Sequence, residues 1–465
     1  MKTIDKTWPE SLAESLLHSF QGPVPDDVLE RAALQVLDSV ACAAGAQGSD
    51  PVEIVHRVIR GSGPQQATLL FRGERASLVD AVLANGTAVR YLDANDVFLG
   101  TGPGGHPSDN IPVALAVGEH RGASGEDVLK AIALSYELTT RLRTEVIRRT
   151  AQGGRWDGVS LSATVGAVAA ALLMGCDVSQ LANAIGIGAA KGYALKEIRH
   201  GEISMLKASG NAVVARDGVL AAMLAMEGYT GSPAVFEGEW GLVRTLGGEP
   251  DPDILEQLCA PPAWSIRDIS IKPYPAIGTS QSAVCGAVTV SAEDGFNPRD
   301  VARVTIRLPD TKYTRQYVEI PERMTPRSRE SADHSIPFLV ALALEEGGVT
   351  GEHFDQQCWT RDSTRSLMER TVIEADADLA KRAKKAFPAV VEVTMQDGRS
   401  FAAEVIDTPG SPASPWGRDE ICDKFRRLQR AGLSAAAIDK IADASVDLVT
   451  APDLTQLLDL VRDRG

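Results

Sequence analysis

Chemistry-bearing residues concentrate between Tyr91 and Glu119. Tyr91-Leu-Asp-Ala-Asn-Asp96 places Asp93, Asn95 and Asp96 within four positions, and Gly104-Gly-His-Pro-Ser-Asp-Asn-Ile-Pro112 sets His106 and Ser108 in a Gly/Pro turn. An apolar helical pattern begins at Val113, so this polar turn lies between two helices that read as buried. Polar groups in such a place are either satisfied by partners or used for chemistry. A histidine beside carboxylates holds a defined tautomer and a raised pKa, which suits a general acid or base. A lone histidine serves structure as readily, and the residues alone leave both readings open. Of the other histidines, His18, His56, His120 and His353 lie on polar or amphipathic faces, whereas His200 and His334 sit near other notable residues.

Two lysines stand out by their neighbours. Lys207 follows Ser204-Met-Leu and opens a helix rich in small residues; Lys272 lies in Ile-Lys-Pro-Tyr-Pro. Lysines are ordinarily solvated, but apolar and proline neighbours point these two inward, where a pair of cations can clamp carboxylates. Gly186-Ile-Gly188-Ala-Ala-Lys-Gly192 has neither the dinucleotide nor the Walker A spacing and follows a helical pattern, so close helix packing is the expectation there. The cysteines at 42, 176, 259, 285, 358 and 422 form no C-x-x-C and suggest reduced thiols rather than a zinc or iron–sulfur site.

These residues need a scaffold, and the periodicity supplies one. Helices are expected near 12–20, from an N-cap at Asp26 through Val40, at 50–60, 78–91, 125–145, 158–175, 178–190 and 207–228. Strand–helix alternation is missing before residue 260, so this half reads as all-helical. Composition shifts near Pro261-Pro262. Strands are expected at 301–308, 390–395 and 400–406, the last two as a hairpin through Asp397-Gly398, with helices near 278–293, 334–346 and 374–385. The tail from Asp419 is helical and is expected to return to the first domain. The expected domains are 1–265 (helical), 266–408 (α+β) and 409–465 (returning helices). With 465 residues, 44% hydrophobic and 23% charged, the chain exceeds one small core. A net charge of −15 argues against nucleic acid as a partner. The longest apolar run, about 161–174, falls short of the ~20 residues that span a bilayer, and the N-terminus shows no signal-peptide pattern. No membrane partner and a cytoplasmic location are therefore expected.

Six segments in order resemble the MmgE/PrpD family: 91–96; 105–112; Arg199-His-Gly-Glu-Ile-Ser-Met-Leu-Lys207 with Gly210-Asn211-Ala212 and Arg216; Phe236-Glu-Gly-Glu-Trp-Gly241; Ile271-Lys-Pro-Tyr-Pro275 with Gln281-Ser-Ala283; and Pro326-Arg-Ser-Arg-Glu-Ser-Ala-Asp-His-Ser-Ile-Pro337. That family includes 2-methylcitrate dehydratase, cis-aconitate decarboxylase and iminodisuccinate epimerase. The resemblance implies a mostly α fold, with a large helical domain built from both chain ends and a smaller α+β lid. It also implies a homodimer, a small di- or tricarboxylate substrate, and a site that needs no metal or organic cofactor. Carried over, Asp93, His106, Lys207 and Lys272 are the catalytic candidates. Asn95, Asp96, Ser108, Arg199 and Tyr274 are the substrate-binding candidates. Gly158, in Trp156-Asp-Gly158, and Thr279, in Ala276-Ile-Gly-Thr279, stand where histidines are usual, and the smaller residues are expected to leave more room.

Chemistry in this family takes place next to a carboxylate. Lys207 and Lys272 are expected to bind substrate carboxylates, Asp93 to take the proton or orient His106, and His106 to protonate the departing hydroxyl. The expected activity is that of a metal-independent 2-methylcitrate dehydratase-like hydro-lyase. The alternatives are decarboxylation or epimerisation of a related or alkyl-substituted polycarboxylate, or a non-catalytic carboxylate-binding relative.

Overall fold

The computed structural model describes residues 6–99, 105–150, 155–382 and 385–463. Part of the Gly-rich turn before His106, residues 100–104, lies outside these.

Two apolar cores organise the chain. The larger runs from Trp8 through Ile271 and is completed by Ile421 to Val461; the smaller runs from Ala276 to Met395. The fold is mostly α, and the tail packs into the larger core, with Arg418–Leu428 and Ala435–Val446 both against Asp26–Gly45. Helix Leu78–Tyr91 starts where the Ser77 hydroxyl accepts from the Asp80 amide. It ends beside helix Leu206–Met226, which also crosses Ser162–Met174. Small residues set these distances: a Cβ on Gly86 would stand 2.8 Å from Ala212 Cβ, and one on Gly218 would press on the Ala163 carbonyl. Gly186 and Gly188 do the same in helix Val178–Lys191, against the backbone of Ser232 and of Ala163.

The smaller unit carries a four-stranded sheet in the order 371–376, 301–309, 389–395, 400–405, the first pair parallel and the others antiparallel. Helices Gln281–Ser291 and Ile336–Glu346 pack in this unit, the former against the last two strands.

Three expectations need correction. The stretch 374–385 does not begin as helix: Thr371–Asp376 is an edge strand and the helix is Ala377–Arg382. Half-exposed on an edge, the strand lacks a clean apolar alternation. Asp26 is the first helical residue rather than the cap; Pro25 holds that position without a side-chain bond. The first half is not wholly helical, because Ala67–Thr68 pairs with Arg75–Ala76 in a short ribbon. Among the described residues, no helix is long and apolar enough to cross a membrane.

Candidate active site

Asp93 sits just beyond the end of helix Leu78–Tyr91 with φ +53°, a left-handed conformation that aspartate tolerates better than most residues. Two buried ammonium groups hold the turn. Lys272 Nζ donates to the main-chain oxygen of Asp93, and Lys424 Nζ donates to that of Ala94 at 2.6 Å. The carboxylate is gripped as tightly. Its Oδ1 accepts from Lys272 Nζ at 2.5 Å and Arg90 at 2.7 Å, while Lys207 Nζ lies 3.1 Å from Oδ2.

Lys207 is the second residue of its helix, and its ammonium also bonds both oxygens of Asp333 at 2.6 Å. Asp333 in turn accepts from Nδ1 of His334 and from Arg329, at 3.3 Å for the arginine. His334 is held by its backbone. Tyr317 donates its hydroxyl to the His334 carbonyl and accepts from the Ile336 amide at 2.6 Å, and Ser335 caps the helix that follows. Two imidazoles thus flank one carboxylate: His106 Nε2 is 4.0 Å from Asp93 Oδ1, and His334 Nε2 is 3.8 Å from Asp93 Oδ2.

The ring tautomers follow from their partners. His106 Nδ1 lies 2.5 Å from the Asp96 carbonyl, an acceptor, so Nδ1 carries a proton. His334 Nδ1 faces the Asp333 carboxylate, with the same consequence. Burial, then Arg90 and Lys272, hold His106 well below the usual imidazole range; burial, Lys207 and Arg323 lower His334 to about 3. Both rings are therefore neutral at pH 7 with bare Nε2 atoms. This reverses the raised pKa expected for His106, because burial, with Arg90 and Lys272, outweighs Asp93 and the Asp96 carbonyl.

Burial alone would raise the Asp93 carboxyl, but Arg90, Lys207 and Lys272 hold it well below the carboxylate range. Asp333 behaves alike, brought to about 2 by Lys207 and His334 against burial. Burial lowers both lysines, Lys272 to about 8, with Asp93 opposing. Arg90, Lys207, Lys272 and the partly buried Arg329 thus face Asp93, Asp333 and Asp109, and three of these cations converge on the Asp93 carboxylate. Asp93, Asp333 and His334 could together hold a metal ion, since their ligand atoms lie within 4.8 Å of one another. The ammonium of Lys207 already bonds Asp333 and contacts Asp93 there.

The structure brings Asp93, His106, Lys207 and Lys272 together. Asn95, Asp96 and Ser108 frame them from behind. Asn95 Nδ2 donates to Ser108 Oγ and Asp109 Oδ1, both at 3.0 Å, and Ser108 Oγ donates to Asp96 Oδ1 at 2.6 Å. Burial, with Asp109 and Asp38 nearby, pushes Asp96 up to about 7, and burial takes Asp109 to about 6 against Arg90. Arg199 stands further out, paired with Asp157 at 2.8 Å. Tyr274 is not brought to the centre. Its proline-flanked bend turns the ring against the smaller core and Gly348. The space beside Gly158 is not open either. The Arg143 guanidinium fills it, 2.2 Å from where a Cβ at 158 would stand and 2.4 Å from one at Gly105. Thr279 donates to the Tyr313 hydroxyl at 3.0 Å.

Arg90, Asp333, His334 and Arg143 were not among the sequence candidates. His334 carried a signal, as a histidine beside an acid next to a helix start.

The pattern of the MmgE/PrpD N-terminal domain matches residues 10–255, and that of the C-terminal domain matches 274–448. Cis-aconitate decarboxylase of Homo sapiens is 25% identical over 482 residues, covering 97% of this chain and 95% of its own. Cis-aconitate decarboxylase of Aspergillus terreus (strain NIH 2624 / FGSC A1156) is 24% identical over 472 residues, covering 94% and 92%. A probable 2-methylcitrate dehydratase of Saccharomyces cerevisiae is 23% identical over 410 residues, covering 82% and 77%. With both domains matched in order across the helical unit and the sheet-bearing unit, the chain belongs to the MmgE/PrpD family.

Proposed function

We propose that this protein is a metal-independent hydro-lyase acting on 2-methylcitrate or a related polycarboxylate. The observation that carries this reading is the convergence of three buried cations, Arg90, Lys207 and Lys272, on the Asp93 carboxylate, set beside two neutral imidazoles. Removing a proton next to a carboxylate builds enolate charge, and preorganised cations stabilise it where water is excluded. Lys207 and Lys272, whose ammonium groups meet at Asp93, bind the substrate carboxylates. Asp93 is too thoroughly neutralised to serve as a base and instead holds the lysines in place. His106 donates a proton from Nε2 to the departing hydroxyl. A bound polyanion offsets the burial, Arg90 and Lys272 that keep this ring neutral, so the ring takes up that proton when substrate binds.

The test is turnover of purified protein with 2-methylcitrate, citrate and cis-aconitate, with and without chelator, followed by NMR. Chelator-insensitive water loss is the expected result. His106→Ala should abolish it while the thermal transition stays in place, and near-normal turnover in that variant would sink the assignment. Loss of CO2 instead would favour a second reading, decarboxylation, which draws support from the two decarboxylases that align along nearly all of this chain. Ligand-induced stabilisation without turnover would mark a non-catalytic binder.

The proposal extends to a homodimer. Leu206, Val213 and Leu220 are exposed at seven-residue spacing along one helix, a stripe that a second copy would cover. Light scattering should give a dimer for the native chain and a monomer for Val213→Lys/Leu220→Lys.

A further inference from the structure

We propose that His334, backed by Asp333, is the base that removes the substrate proton, and that it works opposite His106 across the Asp93 carboxylate. This rests on the polycarboxylate reading above and adds the group which that reading leaves unassigned.

The placement is specific. The His334 ring is buried, and its Nδ1 bonds the Asp333 carboxylate. That bond commits the Nδ1 proton to Asp333 and leaves Nε2 unprotonated, 3.8 Å from Asp93 Oδ2, the oxygen that the Lys207 ammonium also contacts. A carboxylate behind the ring stabilises the imidazolium that forms when Nε2 accepts a proton. His106 has only a main-chain carbonyl behind its ring. Of the two imidazoles, His334 is thus the one with a carboxylate placed to support its charged form, against the burial, Lys207 and Arg323 that keep the free ring neutral.

The step balances without a further reactant. The C–H bond next to the substrate carboxylate breaks, and its proton goes to His334 Nε2. The electron pair passes through the enolate into the new C=C bond. The C–O bond then breaks, and the hydroxyl leaves as water with the proton from His106 Nε2. Lys207 bonds Asp333 and contacts Asp93, so it lies beside the site of enolate charge throughout.

His334→Ala should lower kcat by about 10²–10⁴-fold, the usual contribution of a positioned base, with KM changed less than about threefold. Added imidazole should restore part of the loss, which a merely structural role would not permit. A kcat within tenfold of wild type would overturn the proposal. Asp333 is a positioning residue: Asp333→Asn should lower kcat and move the acidic limb of its pH profile to lower pH, because the ring loses the charge that favours its protonation. A second measurement needs neither a folded variant nor turnover. Nitrogen NMR of histidine-labelled wild-type protein should show His334 neutral at pH 7 with its proton on Nδ1; a proton on Nε2 at that pH would overturn the proposal. Should wild-type protein turn over none of the three polycarboxylates, the hydro-lyase reading fails and this proposal with it; turnover by wild type that His334→Ala retains would overturn this proposal alone.

Discussion

At the scale of single residues, the centre consists of charges that only other charges make tolerable. Isolated buried ions are costly, and removing one partner of a buried pair leaves the other uncompensated. Proton binding follows the same interdependence. An unfolded chain protonates an ordinary histidine near pH 6.5, whereas folded His334 resists protonation down to about 3. Over that interval the unfolded state binds the extra proton, so this group makes stability fall as pH drops below about 6.5. His106 acts in the same direction. Asp96, held near 7, acts oppositely, since the folded state keeps a proton that the unfolded chain has given up. Comparing wild type with His334→Gln isolates one contribution. Denaturant unfolding between pH 4 and 6 should show a slope shallower in the variant by about 1 kcal/mol per pH unit. Asp93, His106, Lys207 and Lys272 were legible in the sequence because each is a polar residue in unsuitably apolar, glycine-rich or proline-rich company. Asp333 was not, because its meaning lies in a bond to Lys207, 126 residues away.

At the scale of elements, long amphipathic helices read well. Leu78–Tyr91 matches its expected span, and the hairpin through Asp397-Gly398 forms as its turn residues require. Failures fall where tertiary partners decide. The edge strand 371–376 forms because Val301–Pro309 offers it a parallel ladder, which local periodicity does not record. Gly158 is the sharper case. Its lack of a side chain suggests space, yet Arg143 arrives from beyond helix Gly125–Arg141 and donates to the Gly158 carbonyl at 3.1 Å. Gly158→His should therefore destabilise the protein by about 1–3 kcal/mol, the range for overfilling a packed site. Adding Arg143→Ala should recover part of that loss. Chemical denaturation of the two single variants and the double variant would measure this as a coupling of more than about 0.5 kcal/mol, and strict additivity would contradict it.

At the scale of the whole molecule, distant chain segments converge on one turn. Lys424, from the returning tail, is fully buried and bonds Asp38 at 2.5 Å as well as the Ala94 carbonyl. Lys424→Met leaves Asp38 buried without its partner and frees the carbonyl next to Asp93. A loss of about 3–5 kcal/mol is expected by thermal or chemical unfolding, with activity falling as the turn loosens. Lys385→Ala, which breaks an exposed pair with Asp268, should cost less than about 1 kcal/mol. The net charge of −15 was plain from composition, but it hid the cations gathered around Asp93. Charges of one sign can be gathered inside while the total has the other.

The bond between Lys424 and Ala94 spans 330 residues, and that separation sets a clock during synthesis. At about 5–20 residues per second, the ribosome delivers Lys424 about 15–65 s after Ala94. Through that interval the helical half has neither the apolar residues of its tail nor the ammonium that holds its central turn. A nascent chain stalled in this window would expose unfinished core to chaperones and proteases, and the turn at Asp93 would still lack its Lys424 bond.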